Sequence, residues 1–497
     1  MTITASCAAP FAEAGQGKMC AYRARRVLTM ADERAACGEA ALCRPLAWLD
    51  DALLLVRGGR LAAVEPFRPA AVPAGCAVRD LGEVSLVPAL VNAHCHLQLA
   101  HLAGKTLWGQ GFVPWLASLI ALLREPLDEA AIHAGAAALR DGGTGLLGDF
   151  VSHGIGMTAR AMQAANVEYS GFCEWFGFAA PFIDAERPWP PRCREFFVQA
   201  VGTAQTTDRA AQAGEGGARP AAADGTAQRA AFHAAQAGED GVQRAAADGS
   251  VQTADCSRTA ALTAQAGASH VAQGSHETAA AAGGAALCWQ PCGHALYSTH
   301  AEVLRDAWRY CRAHGTVFSL HLAESPEETQ VLTQGSGPLA ELYTPVVLPP
   351  QWRAPGMPPV ALAEHLGLLG SDTLAVHAVQ CDAREQRLLA RSGTAICLCP
   401  RSNAHLAVGT APVRGYMREG ALLCLGTDGL SSNTDMQVFN EALWLRDRLD
   451  IPEAALIRML TVNGAAALKR RGGRLVAGAR ARWAVLPADW QTEGTTV

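Results

Sequence analysis

Short apolar runs alternate with longer helix-patterned segments from Ser85 to about Asn463, and no other feature limits the possible folds of this chain so strongly. Strands separated by helical stretches are joined by crossovers and align in parallel, because hairpin turns are not available to them. The runs are Ser85–Ala93, Thr144–Phe150, Glu168–Glu174, Ala286–Gln290, Thr316–Leu322, Thr373–Val379, Thr394–Cys399 and Ala421–Gly426. Eight such strands predict an α/β fold, a closed (β/α)8 TIM-like barrel. In such barrels the reactive groups collect where the strands end.

Before Ser85 the pattern differs. Asp51 to Val64 is two apolar runs around Gly58-Gly59, a hairpin signal. Short strands return near the end at Arg474–Val476 and Trp483–Leu486. The expected organisation is a small composite β-sandwich built from both chain ends, residues 1–84 and 470–497, around a barrel of residues 85–469. One stretch breaks the rhythm. Residues from about 202 to 284 are dominated by Ala, Gly, Gln, Thr and Asp, and Ala210–Gly225 returns in near copy as Ala234–Gly249. Neither copy has an apolar face to stack, so the stretch reads as a low-complexity insertion between the third and fourth strands. His233, His270 and His276 lie inside it and are not expected to be ligands.

Basic residues number 41 and acidic ones 46, a formal charge of −5, which offers a polyanion no electrostatic footprint. Nucleic acid is therefore not an expected partner. No long uncharged apolar stretch reads as a membrane span, and Met1–Gln16 lacks the pattern of a secretory signal, so the cytoplasm is the expected compartment. The 16 cysteines are then expected to be reduced, with Cys397 and Cys399 packing in one apolar run.

The chemistry begins at Asn92-Ala93-His94-Cys95-His96, directly after an apolar run. Residues i and i+2 of a strand share a side, so His94 and His96 can offer two imidazoles to one cation. Further polar groups stand at later strand ends: His321, with Glu324 three residues on, then His377 and Asp428. Each alone has a structural explanation; four at four strand ends point to a site.

The segments VPALVNAHCHL, HALYS, HLAESPEE, AVHAV, CPRSNAHLAVGTAPV and LGTDGLSSN, in that order, resemble the amidohydrolase superfamily, in its deaminase and triazine hydrolase branch. The resemblance spans about Val87 to Asn463. It implies that His94, His96, His321 and Asp428 ligate one divalent metal ion, Zn²⁺ first and Fe²⁺ as the alternative. It further implies that His377 holds the nucleophilic water and that Glu324 carries protons. Three imidazoles and one carboxylate leave a coordination position open, where a cation lowers the pKa of water toward neutrality. Lysine occurs only at Lys18, Lys105 and Lys469, so a binuclear site bridged by a lysine of the fourth strand is excluded.

The expected reaction is hydrolytic deamination of an aminated purine-type ring or nucleoside. 6-Aminodeoxyfutalosine or aminofutalosine, intermediates of menaquinone biosynthesis, are the first named substrates by resemblance. A triazine-type chlorohydrolase is the alternative, and a catalytically silent barrel is a third reading. Expected substrate contacts are His294 and Tyr297 of GHALYS, Arg401, Gln98 and Trp108; Trp115 is as readily a core residue, and Ser402 and Asn403 are as readily helix caps. Gln98 stands where close relatives often carry a glutamate, in HxHxE. A homodimer is a further expectation from resemblance.

Overall fold

The computed structural model describes residues 17–178, 287–344 and 347–490. The expected insertion at about 202–284, with His233, His270 and His276, lies outside the described residues. In chain order the strands are β1 (Met19–Val27), β2 (Leu49–Arg57), β3 (Arg60–Pro66), β4 (Val78–Asp80), β5 (Ser85–Pro88), β6 (Leu90–Cys95) and β7 (Thr144–Val151). They continue as β8 (Glu168–Trp175), β9 (Leu287–Gly293), β10 (Phe318–Leu322), β11 (Thr373–His377), β12 (Ala395–Leu398), β13 (Leu422–Leu425) and β14 (Trp483–Leu486).

The strand expected over Ser85–Ala93 is in fact two. Pro88 has no N–H with which to continue a ladder, and the chain changes sheets around Ala89. β5 pairs with β1 and β14, whereas β6 pairs with β7. The fourth expected strand is longer at its far end and runs to Gly293, which carries it to the edge of His294.

Eight parallel strands follow in two four-stranded sheets, β6-β7-β8-β9 and β10-β11-β12-β13. The sheets meet at both pairs of edges. Past β9, Ala295 forms a parallel bridge to His321, and the His321 N–H donates to the His294 carbonyl at 2.8 Å. Past β13, the Thr427 and Asp428 N–H groups donate to the His94 carbonyl at 3.0 and 3.1 Å. Val91, Phe150, Phe172, Val317, Val376, Cys397 and Cys424 form one buried cluster across these strands. Helices such as Glu129–Asp141, Ala301–Ala313 and Ala383–Ser392 connect successive strands. The last of these has both local signals a short helix needs: Asp382 and Glu385 form a capping box, and Gly393 ends it with φ 79°. Cys95, Cys311, Cys397, Cys399 and Cys424 are buried thiols. No helix there is long and apolar enough to cross a membrane.

Both chain ends enter one six-stranded sheet, ordered β14-β5-β1-β2-β3 with β4 beside β1. Gly58 and Gly59 have φ of 55° and 72°, the two positive values that a two-residue turn requires between right-twisted strands. The stretch before β14 reaches the far edge of the sheet, where Leu61 N–H donates to Ala479 O and Gly478 N–H to Leu61 O, each at 2.8 Å.

The segment between β1 and β2 is held by Arg458, which is fully buried. Its guanidinium donates to both Glu33 carboxylate oxygens at 3.0 Å and to the carbonyls of Leu42 and Arg44 at 2.8 and 2.7 Å. Arg458→Leu removes the donor to the Leu42 and Arg44 carbonyls and leaves the Glu33 carboxylate with Arg44 alone, at 2.9 Å. It is expected to lower unfolding stability by about 3 kcal/mol in chemical denaturation, leaving far-UV circular dichroism unchanged.

Candidate metal and active site

At the C-terminal ends of the parallel strands, three elements place four residues together: His94 and His96 at the end of β6, His321 on β10 and Asp428 just past β13. One ligand atom from each of the three histidines falls within 4.8 Å of the others, and all three residues are buried. Asp428 Oδ1 lies 3.5 Å from His94 Nε2 and 3.7 Å from His96 Nε2. The approach of β13 to β6 depends on Gly426, where a Cβ would lie 2.7 Å from both His94 Cβ and Cys397 Sγ.

The hydrogen bonds around the imidazoles fix their tautomers. His96 Nδ1 faces the Phe150 carbonyl at 3.1 Å and His321 Nδ1 faces the His294 carbonyl at 2.9 Å. A carbonyl can only accept, so both protons reside on Nδ1. The two Nε2 atoms, 3.3 Å apart, therefore point lone pair at lone pair. His94 is wholly buried and neither of its ring nitrogens has a hydrogen bond among the described residues. Protonation does not relieve this arrangement, because burial pushes the His94 imidazolium down to about 3 and holds His321 well below its ordinary range. Asp428 stays anionic with support from three donors: Ser402 Oγ at 2.7 Å and Ser432 Oγ at 2.6 Å on Oδ2, and the Gly429 N–H at 2.9 Å on Oδ1. Neutral imidazole lone pairs converging with one carboxylate, dry and without protons, fit a divalent cation.

Beside this cluster stands a second pair. His377 Nε2 is 3.5 Å from Glu324 Oε1, and His377 Nδ1 meets Asn403 Oδ1 at 3.0 Å. Burial, then the charges of Asp428 and Glu328, raise the Glu324 carboxyl well above its usual range. The Glu324 N–H donates to Glu328 Oε2 at 2.8 Å, which fixes the turn that follows β10. The backbone here is strained: Ala323, His377 and Asp428 have φ of 51°, 72° and 60°. Each left-handed residue costs about 1–2 kcal/mol. Surrounding bonds hold them: Val379 and Gln380 N–H donate to Ala323 O at 2.9 and 2.8 Å, and Tyr416 Oη–H donates to Ala378 O at 2.7 Å. Strain concentrated at three strand ends of one face marks a functional site.

The expected substrate contacts divide. His294 is partly exposed at the end of β9, its ring 4.9 Å from that of His321 and its Nδ1 2.5 Å from Ser298 Oγ. Tyr297 is buried, 6.0 Å from His294 ring to ring. Gln98 has its amide committed elsewhere: Oε1 accepts from the N–H groups of Ser152 and His153 at 3.1 Å, and Nε2 donates to Ser152 Oγ at 3.1 Å. Arg401 is likewise engaged, both terminal nitrogens at 2.9 Å from the Asp435 carboxylate. Trp108 stacks on His405 and joins Trp115 in donating to the Ser431 carbonyl, at 2.9 and 2.8 Å. Ser402 and Asn403 prove to orient Asp428 and His377. Sequence reasoning missed Glu174, the last residue of the expected third strand, where the same strand-end signal pointed. Its carboxyl is buried, Oε1 has no hydrogen bond among the described residues and lies 3.7 Å from His321 Nδ1. Burial, then the charges of Asp428 and Asp149, raise it to about 8.

Two outcomes follow from the imidazole cluster. Adding Zn²⁺ to metal-stripped protein is expected to raise Tm, by an amount equivalent to about 2.7 kcal/mol at a hundred times Kd, and His96→Ala should abolish the shift in scanning calorimetry. The folded metal-free protein keeps His94 neutral to about pH 3, while the unfolded chain protonates it near 6.5. The unfolded state thus binds the extra proton below 6.5, so this stabilisation is complete above that pH. It is lost at about 1.4 kcal/mol per pH unit on acidification. His94→Gln should remove that slope from the pH dependence of the denaturation midpoint.

A model of the amidohydrolase family matches residues 85–494. A 5-methylthioadenosine/S-adenosylhomocysteine deaminase of Haloarcula marismortui is 39% identical over 142 residues, 27% of this chain and 33% of that protein. An aminodeoxyfutalosine deaminase of Deinococcus radiodurans is 29% identical over 206 residues, 40% of this chain and 47% of that protein. The chain thus spans less than half the length of these curated relatives. The crystal structure of Helicobacter pylori aminofutalosine deaminase in complex with methylthio-coformycin superposes with a TM-score of 0.64 at 16% identity, covering 96% of this chain and 93% of that one, a likeness of fold. With a family match over most of its length and the metal-type cluster lying inside that match, the chain belongs to the amidohydrolase family.

Proposed function

We propose that the protein is a metal-dependent hydrolytic deaminase of an aminated purine-type nucleoside. In this reading the eight parallel strands close as a (β/α)8 barrel, and the six-stranded sheet is the small composite sandwich. The observation that carries the proposal is the pairing of two units on one face: neutral imidazoles converging with Asp428, and Glu324 beside His377. Relatives named for 5-methylthioadenosine, S-adenosylhomocysteine and aminodeoxyfutalosine support the substrate class. Aminodeoxyfutalosine, and with it a place in menaquinone biosynthesis, is the first candidate.

His94, His96, His321 and Asp428 would hold one divalent ion, Zn²⁺ first. When bound, it supplies the Lewis acidity that makes water a nucleophile near neutral pH. The protein's own groups do the rest. Asp428, anchored by Ser402 and Ser432, accepts a hydrogen bond from the attacking water and aims it. Glu324 takes the water proton on a carboxylate oxygen and delivers it to a ring nitrogen, so that the amino-bearing carbon accepts the oxygen and the amino group departs as ammonia after a second proton transfer. His377, with its proton on Nδ1 toward Asn403, turns the lone pair of Nε2 toward the site, where it accepts a hydrogen bond from the attacking water and from Glu324 once that carboxyl is protonated. Burial suits Glu324 to this work, since a carboxyl raised above its usual range keeps the proton it has taken until the ring nitrogen receives it.

The test is ammonia release by metal-analysed protein offered aminodeoxyfutalosine, 5-methylthioadenosine, S-adenosylhomocysteine and adenosine, with guanine and cytosine beside them. Preferential turnover of one nucleoside is the expected result, and no turnover with metal bound would overturn it. Glu324→Gln is expected to retain one metal ion per chain and to lower kcat by about 10²–10⁴-fold.

A further inference from the structure

β8 ends in a ladder that the reaction above leaves unused. Alternate residues of a strand face the same way, and on β8 these are Ser170, Phe172, Glu174 and, just beyond it, Phe176. Ser170 accepts from Gln290 Nε2 at 3.2 Å, and Phe172 stacks on Phe150 at 4.3 Å, whose ring in turn contacts His94. The ladder therefore runs up the side of the metal cluster. Glu174 stands at the level of the histidines, 3.7 Å from His321 Nδ1. Phe176 stands above it, 46% exposed, with its ring 4.9 Å from that of His294. A buried carboxyl oxygen without a hydrogen bond costs about 1–3 kcal/mol. The neighbouring groups do not relieve it, because the His321 Nδ1 proton is committed to the His294 carbonyl at 2.9 Å. Two polar groups expected to face a substrate, Gln98 and Arg401, are instead tied to Ser152 and His153 and to Asp435.

We propose that Glu174 is a specificity-determining residue, whose unpartnered carboxyl oxygen Oε1 accepts a hydrogen bond from an O–H or N–H donor of the bound nucleoside while Phe176 covers the same part of the ligand. This rests on the deaminase reading. A site built to pair with a substrate donor discriminates strongly against the analogue that lacks it, because the protein group is then left unpaired.

The experiment compares wild type with Glu174→Gln and Glu174→Ala for metal content and for kcat and KM. The substrates are adenosine and its 2′-deoxy, 3′-deoxy and 5′-deoxy analogues, with adenine as the free base. Expected are one metal ion per chain in all proteins and a loss of about tenfold or more in kcat/KM on adenosine for both variants. That loss should shrink to within about twofold for the analogue missing the donor. An equal loss on every analogue, or none on any, would overturn the proposal while wild-type turnover upheld the deaminase reading. Loss of metal from the glutamine variant, which preserves shape, would assign Glu174 to holding His321 and would equally overturn it. A wild type that deaminates neither these compounds nor aminodeoxyfutalosine, 5-methylthioadenosine or S-adenosylhomocysteine would overturn the reading itself and this inference with it; turnover of those three but not of adenosine would overturn this inference alone. Should the alanine variant fail to fold, the glutamine variant alone distinguishes these outcomes.

Discussion

The rest of the site depends on two nitrogen lone pairs that face each other 3.3 Å apart. His96 and His321 each give their Nδ1 proton to a main-chain carbonyl, so neither has one to offer the other, and burial keeps a second proton away. Such an arrangement is unfavourable in isolation and favourable around a cation. It is paid for by the fold: the carbonyls of Phe150 and His294 belong to the ends of β7 and β9, and the cluster exists only where β6, β10 and the end of β13 are drawn to the same point. The backbone bonds from Thr427 and Asp428 to the His94 carbonyl bind the sheet edges and position His94 and Asp428 at once.

Around that centre, polar groups are arranged in pairs of holder and held. Ser402 and Ser432 hold Asp428, Asn403 holds His377, and Glu328 holds the Glu324 turn. The strained residues fall at the same positions, with Ala323, His377 and Asp428 all left-handed. A strand that turns sharply at its last residue presents that side chain inward without a longer loop, and the surrounding hydrogen bonds offset the cost. Arg401 illustrates the limit of reading side chains by type: a guanidinium suited to a substrate carboxylate is instead satisfied by Asp435 of its own chain.

Periodicity and residue chemistry along the chain are local properties, and the elements they specify were legible. The alternation of strands and helices, the Gly58-Gly59 hairpin, the HxH pair and the polar residues at later strand ends can all be read from neighbours a few positions apart. The absence of lysine between Lys105 and Lys469 is likewise a property of the sequence alone. The division of Ser85–Ala93 between two sheets was not legible, because β5 is recruited by β1 and β14, partners far away in the chain. Nor was the engagement of Gln98 and Arg401, which depends on which acceptors tertiary packing brings within reach. Glu174 was overlooked for the opposite reason: a glutamate ending a strand is unremarkable until the fold buries its Oε1 without a hydrogen bond among the described residues. Sequence by itself determined which groups were available and at which strand ends they stand. Only the tertiary structure decided which of them meet, because hydrogen bonds and burial are settled by distances between residues hundreds of positions apart.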